Sequence, residues 1–90
     1  MEQPTTIEQI LNVVVRDRSG ILFEGEADSI SSYNDTGDFD IMPFHANFIS
    51  IIKNKIVLRS KGGMVQTIPL EIGILKVSQN KVEVYLGIVH

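Results

Sequence analysis

Apolar and polar residues alternate with a period of two along most of the chain. Every second residue is apolar in residues 11–15 and again in residues 82–86. This period is typical of strands that place one face in a core. Turn residues separate such segments about every 8–12 residues, and no long helical period lies between them. The pattern predicts an all-β fold, an antiparallel sandwich or flattened barrel of about 8–10 short strands.

The middle of the chain is predicted to contain several of these strands, joined by tight turns. Lys53, Asn54 and Lys55 form a polar link that predicts a hairpin, and Lys61–Gly63 predicts a second hairpin loop. Pro69 indicates an edge strand or a strand end, because proline has no N–H to give to a neighbouring strand. The strands predicted here cover residues 48–52, 56–60, 64–70 and 72–77.

The first ten residues form a separate unit in this interpretation. Thr5 and Glu8 have the spacing of a helix capping box, and Ile7 and Ile10 have helical spacing. A single helical turn and a frayed tail both fit these residues. We therefore divide the chain into an N-terminal extension, residues 1–10, and one β-domain, residues 11–90.

The most distinctive segment, residues 37–48, predicts a strand that ends in a corner. Asp38 and Asp40 alternate with apolar neighbours, and Pro43 then ends the strand pairing. Large apolar residues are dense in this segment, and a strand cannot send all of them inward, because successive side chains point to opposite faces. They either leave an exposed patch for a partner or are buried between two layers, and both alternatives fit the sequence. These residues are Ile41, Met42, Phe44 and Phe48.

Length and charge limit the class of partner. Ninety residues fit one small domain, and the 43% hydrophobic and 21% charged content is typical of globular proteins. The net charge of −3, with acidic residues spread along the chain, disfavours nucleic acid and anionic membrane surfaces as partners. The densest basic group fits a solvated strand face and consists of Lys53, Lys55, Arg59 and Lys61.

Several classes of site and targeting segment are excluded by composition. The chain has no cysteine, which excludes disulfides, thiolate nucleophiles and Cys-based zinc sites. No apolar run approaches the ~20 residues of a membrane-spanning helix, and the first residues lack the features of a signal peptide. We expect a cytoplasmic protein without direct membrane insertion.

His45, Asp38 and Asp40 are the best candidates for catalytic or metal-binding chemistry. The only other histidine is His90, and two carboxylates seldom hold a cation without further ligands. The serines lack a strand–turn–helix nucleophile motif, and the paired glycines lack the Lys-Ser/Thr of a phosphate-binding loop. We expect His45 to be a structural corner residue whose ring contacts nearby backbone. We also expect no cofactor, no metal and no catalytic activity.

Three segments resemble the N-terminal β-sandwich domain of the epsilon subunit of F-type ATP synthase, which is called delta in mitochondria. The most specific is residues 37–48, which follow the family signature Gly-Asp/Glu-Leu/Phe-Gly-Ile-x-Pro-Gly-His-Ala-Pro-Leu without a gap. Phe23 and Gly25 match a Phe-x-Gly segment, and residues 73–77 and 80–84 follow the closing strands. The chain departs from the signature as a divergent member would. The departures are Asp40 for glycine, Phe44 for glycine and Asn47 for proline.

The resemblance implies a non-catalytic rotor subunit of the central stalk of a proton-translocating ATP synthase. Its partners would be the gamma subunit and the c-ring, and it would be peripheral to the membrane through the complex. Contacts with the ring or within the corner are implied for Asp38, Phe39, Met42, Pro43 and His45. The family usually continues into an inhibitory two-helix arm, and because this sequence has 90 residues we expect no C-terminal helical hairpin. The alternative is a free-standing sandwich of the same descent that binds another protein.

Overall fold

The computed structural model describes residues 10–87 and has an all-β fold, as predicted. One short 3-10 turn, Lys61–Gly63, joins the two longest strands. No helix within these residues is long and apolar enough to cross a membrane. The segment around Thr5 and Glu8, for which the sequence allows a helical turn or a frayed tail, lies outside the described residues. The strands are β1 Leu11–Asp17, β2 Gly20–Ala27, β3 Ser29–Asn34, β4 Gly37–Ile41, β5 Phe48–Arg59, β6 Val65–Ser78 and β7 Lys81–Leu86.

These strands form one sheet in the order β2-β1-β7-β6-β5-β3-β4. Neighbouring strands are antiparallel except β1 and β7, which are parallel. The C-terminal part of β6 pairs with β7, whereas the C-terminal part of β5 pairs with β3. The two long strands therefore belong to both halves of the sheet, and the halves fold over each other as the layers of a sandwich.

One hydrophobic cluster lies between the two halves, and every strand contributes to it. In β1 and β7 the buried residues alternate with exposed or partly exposed ones, as the sequence predicts for both strands. Val13 and Val82, for example, are paired neighbours and both are buried. Each fully buried Val, Leu or Ile side chain stabilises the fold by about 1.5–3 kcal/mol relative to an exposed one.

The predicted hairpin at residues 53–55 is wrong, because β5 runs through them as one strand of 12 residues. Its register with β6 shifts between Ile52 and Asn54, and Asn54 has a φ of 74°. This is a β-bulge, which bends a strand without ending it. β6 is likewise continuous over 14 residues where we expected two strands. The sheet therefore has seven strands within the described residues, fewer than the predicted count of about 8–10.

β6 passes from one half of the sheet to the other near Gly73, where its pairing with β7 begins. Gly73 is buried, and a Cβ atom there would lie 2.8 Å from the carbonyl oxygen of Tyr85 and 2.9 Å from Cδ2 of Leu86. Only glycine fits this close approach without displacing β7.

Pro69 lies in the part of β6 that pairs with β5 alone among the described strands. The predicted edge position of Pro69 is therefore confirmed. Because proline has no N–H, it cannot give a hydrogen bond to a strand of another molecule at this edge.

Ser32 is fully buried where the register between β3 and β5 shifts. Its hydroxyl group donates a hydrogen bond of 2.8 Å to the carbonyl oxygen of Lys55. We expect Ser32→Ala to lower the free energy of unfolding by about 1–3 kcal/mol, because this part-buried carbonyl would lose its donor. Urea unfolding measures the change, with Ser19→Ala in the exposed β1–β2 turn as the control. Equal unfolding midpoints for the two variants would contradict the role of the hydrogen bond.

Candidate functional site

The corner loop, residues 42–47, connects β4 to β5. Phe48 follows the loop, and its ring packs edge-to-face against Phe39 at 5.5 Å and against His45 at 5.6 Å between ring centroids. The N–H of His45 donates a hydrogen bond of 3.2 Å to the carbonyl oxygen of Met42. These contacts close the loop into a turn and hold it against the start of β5.

His45 takes the structural position that the sequence predicts. Its ring nitrogen Nδ1 lies 2.8 Å from the carbonyl oxygen of Ala46, so the ring contacts nearby backbone. Within residues 10–87, no three His, Cys, Asp or Glu side chains lie close enough together to hold a metal ion. The ring of His45 therefore contacts the backbone of its own loop and the ring of Phe48.

Asn80 holds the corner loop from another side. Its side-chain oxygen Oδ1 accepts a hydrogen bond of 2.6 Å from the N–H of Phe44, and its carbonyl oxygen accepts one of 2.8 Å from the N–H of Asn12. Gln79 and Asn80 have positive φ angles of 51° and 63° and form the two-residue turn between β6 and β7. Asparagine is favoured in such a turn. The sequence predicts the turn but not its contact with Phe44, which is 36 residues away.

The predicted contact residues divide into two groups. Asp38 and Met42 are exposed, with 52% of the Met42 surface accessible. Phe39, Pro43 and His45 are partly buried, and Phe39 packs against the hydrophobic core. Asp38 and Met42 can therefore meet a partner without rearrangement of the loop. Contact with a partner stays a prediction for all of these residues.

The large apolar residues of this segment divide between the two alternatives that the sequence allows. Ile41 is fully buried, and Phe48 is partly buried against the core. Met42 and Phe44 are exposed, and Phe44 keeps 64% of its surface accessible. Two of the four large apolar residues are therefore exposed, and both belong to the corner loop.

A chain of hydrogen bonds crosses the outer face of β4, β3 and β5. The carboxylate of Asp40 accepts a hydrogen bond from the Ser31 hydroxyl, and the Ser31 oxygen accepts one from the Arg59 guanidinium. Asp38 and Asp40 are both exposed on β4, two positions apart and therefore on the same face. This face presents two carboxylates on the strand that leads into the corner loop.

A second exposed apolar surface lies on the outer face of the other half of the sheet. Ile49 and Ile51 of β5 are 68% and 63% exposed. Ile51 pairs with Ile74 of β6, which in turn pairs with Tyr85 of β7. Paired residues share a face of a sheet, so Ile51, Ile74 and Tyr85 form a row across three strands. Ile49 lies on the same face, two positions from Ile51, and pairs with Lys76. We call Ile49, Ile51, Ile74 and Tyr85 the outer patch.

The beta-sandwich domain of the ATP synthase delta/epsilon chain is the family whose model matches this chain, over residues 10–87. The chain belongs to this family. The match covers all of the described strands, so the resemblance drawn from the sequence is confirmed. The corner loop and the outer patch are surfaces of a delta/epsilon sandwich domain.

Two curated relatives of this delta/epsilon domain are ATP synthase epsilon chains. The chain from Leptospira borgpetersenii serovar Hardjo-bovis is 32% identical over 74 residues, which cover 82% of this chain and 58% of the relative. The chain from a Nitratiruptor species is 27% identical over 63 residues, which cover 69% of this chain and 49% of the relative. The chain thus spans about half the length of the curated relatives it matches.

Solved structures of ATP synthases contain chains with the same fold. One belongs to the Euglena gracilis mitochondrial ATP synthase, OSCP/F1/c-ring in rotational state 1. It has a TM-score of 0.82 and 10% identity, and the match covers 96% of this chain and 59% of that chain. Another belongs to the central stalk/c-ring of the Tetrahymena thermophila mitochondrial ATP synthase. It has a TM-score of 0.70 and 13% identity, and the match covers 84% of this chain and 62% of that chain. At these identities the likeness shows that the delta/epsilon fold is shared.

Proposed function

We propose that the chain is a non-catalytic rotor subunit of the central stalk of a proton-translocating F-type ATP synthase, where it couples rotation of the c-ring to the gamma subunit. Its family supports this role, as does its likeness to chains from assemblies described as c-ring and central stalk. The observation that carries the proposal is the corner loop. Phe48 and Asn80 hold the loop in place, and Met42 remains exposed on it.

A folded sheet suits a coupling role because it transmits force with little deformation. β5 and β6 run through both halves, so a load on the corner loop passes into hydrogen-bonded strands of 12 and 14 residues. An interface of standard size buries about 1,600 Å² in total. Apolar area contributes about 25 cal/mol per Å² before the cost of association is subtracted. Non-covalent contacts of that size would be enough to hold the chain in a rotor.

The two exposed surfaces suit two partners. We assign Asp38 and Met42 to contact with the c-ring, and Phe39, Pro43 and His45 to the support of the loop that presents them. We assign the outer patch to the gamma subunit, since it lies on a different face from the acidic residues of β4. The chain would then be peripheral to the membrane, attached to it through the complex.

Site-specific photo-crosslinking tests these assignments in cells that produce the chain. We expect a benzophenone side chain at position 42 to form a product with the c subunit, and one at position 51 to form a product with gamma. The same group at Met64, which is 73% exposed beside the β5–β6 turn, is the control and should give neither product. Mass spectrometry of the purified products identifies the partner at each position.

The outcome also separates the main proposal from its alternative. Products with gamma and c at the expected positions would support the rotor role. Efficient products with an unrelated protein, together with no recovery of ATP synthase subunits on the tagged wild-type chain, would favour a free-standing interaction module. Equal labelling from all three positions would contradict the assigned surfaces.

A further inference from the structure

Phe44 combines two features that are unfavourable in the chain alone. Its φ is 66°, in the left-handed region, and 64% of its surface is exposed. The other residues besides glycine with positive φ in the described part of the chain are Asn54, Gln79 and Asn80. Those are polar, and asparagine tolerates this conformation well, whereas a bulky aromatic side chain is a strained occupant of it.

The strain is imposed by the loop and is not relieved by packing. The N–H of Phe44 is fixed by the Asn80 side chain at 2.6 Å, and the next residue, His45, is bonded to Met42. The backbone is therefore held from both sides in a conformation that suits glycine. Because most of the ring remains exposed, burial within the chain offsets little of this cost.

From this we infer that Phe44 is an apolar anchor, which inserts into an apolar recess of the partner surface that the corner loop contacts. Asp38 and Asp40 lie exposed on the strand that leads into the loop. The Asp40 carboxylate already accepts a hydrogen bond from Ser31, so the complementary surface is a recess with a basic side chain placed to meet Asp38. The inference rests on the proposed function for the identity of the partner, which is the c-ring. Met42, exposed in the same loop, extends the apolar contact.

The anchor role has a signature that a structural role lacks. Substitutions that accept a positive φ should make the chain more stable and its binding weaker, whereas a residue kept for packing would lose both together. Phe44→Gly and Phe44→Asn remove the strain and the ring. Phe44→Leu keeps an apolar side chain in the strained conformation.

The experiment compares thermal unfolding of the full chain with its binding to the c-ring, purified in detergent from the same cells and immobilised on a biosensor. Phe44→Gly and Phe44→Asn should raise Tm by about 2–6 °C. The same variants should weaken binding about tenfold or more, as removal of an interface anchor does. Phe44→Leu should bind much more tightly than either, with a Tm close to wild type. Asn54→Gly, at the bulge in β5, is the matched control and should leave binding unchanged.

Each outcome separates this inference from the proposed function. A lower Tm for both Phe44→Gly and Phe44→Asn would show a packing role and overturn the inference. If Phe44→Gly binds the c-ring as tightly as the wild-type chain does, the anchor role is overturned and the rotor role is unaffected. No binding of the wild-type chain to the c-ring would contradict the rotor role and the partner named here together. The wild-type chain could instead bind phosphatidylglycerol vesicles and not the c-ring, with that binding lost in Phe44→Gly. This result would show that Phe44 contacts a lipid surface and would overturn the inference.

Discussion

Replacing Gly73 with alanine is expected to lower the free energy of unfolding by about 1–3 kcal/mol, the range for overpacking a buried site. The added Cβ atom would lie 2.8 Å from the carbonyl oxygen of Tyr85 and 2.9 Å from Cδ2 of Leu86. The Leu86 side chain can rotate away, but the Tyr85 carbonyl belongs to the backbone of β7. It can move only by disturbing the pairing of β7 with its neighbours.

The loss is large for a domain of this size, since folded proteins are stable by only about 0.05–0.15 kcal/mol per residue. Thermal unfolding should show a Tm lower by about 4–8 °C for each kcal/mol lost. Gly25→Ala is the matched control, because a Cβ there would meet only the ring of Phe23, at an ordinary 3.4 Å. If both variants lose the same stability, the close approach of β6 to β7 is not the cause.

The second large effect is expected at Asn80, which has two separable roles. Asn80→Ala should lower the free energy of unfolding by about 1–2 kcal/mol, because alanine is strained at a φ of 63°. The loss of the acceptor adds little, because the hydrogen bond to the Phe44 N–H is exposed and water can replace it. Asn80→Gly keeps the turn conformation and removes only the acceptor. Urea unfolding should therefore place Asn80→Gly close to wild type and Asn80→Ala well below it.

Hydrogen exchange measures the second role of Asn80. In Asn80→Gly the amide protons of Phe44 and His45 should exchange faster, while those of the core strands keep their protection. Asn80→Asp retains an oxygen acceptor and serves as the conservative control. Unchanged exchange at Phe44 in Asn80→Gly would show that the loop is held by other contacts, such as that of His45 with Phe48.

The strands and their buried faces are predictable because alternation encodes them directly. In β7 the buried residues are Val82, Val84 and Leu86, and no tertiary information is needed to place them on one face. Pro69 is predictable for a similarly local reason, since the missing N–H restricts it to an edge. The family resemblance depends on the order and spacing of several segments, and it therefore predicts the fold of the whole domain.

The bulge at Asn54 is not predictable from local sequence. A polar Lys-Asn-Lys segment with a positive φ at its centre serves equally well in a hairpin turn and in a bulge. The choice depends on whether the next segment reverses or continues, and here β5 continues because β6 pairs with it on both sides of the bulge. Only the pairing partner distinguishes the two outcomes.

The candidate site is predictable as a segment but not in its contacts. The sequence locates the corner and its excess of apolar residues, yet it does not decide which of them are exposed. Ile41 is buried at the end of β4, where it pairs with Ile30 of β3. Phe44 is exposed in a loop whose conformation is fixed by a hydrogen bond to Asn80, 36 residues along the chain. Contacts over such a separation leave no local pattern.

The parallel pairing of β1 with β7 has a consequence for the order in which the sheet can be completed. β7 lies between β1 and β6, so the β1–β2 hairpin can join the rest of the sheet only when β7 is in place. A chain that ends before Lys81 should therefore leave β1 sensitive to protease, whereas a chain that includes β7 should protect it.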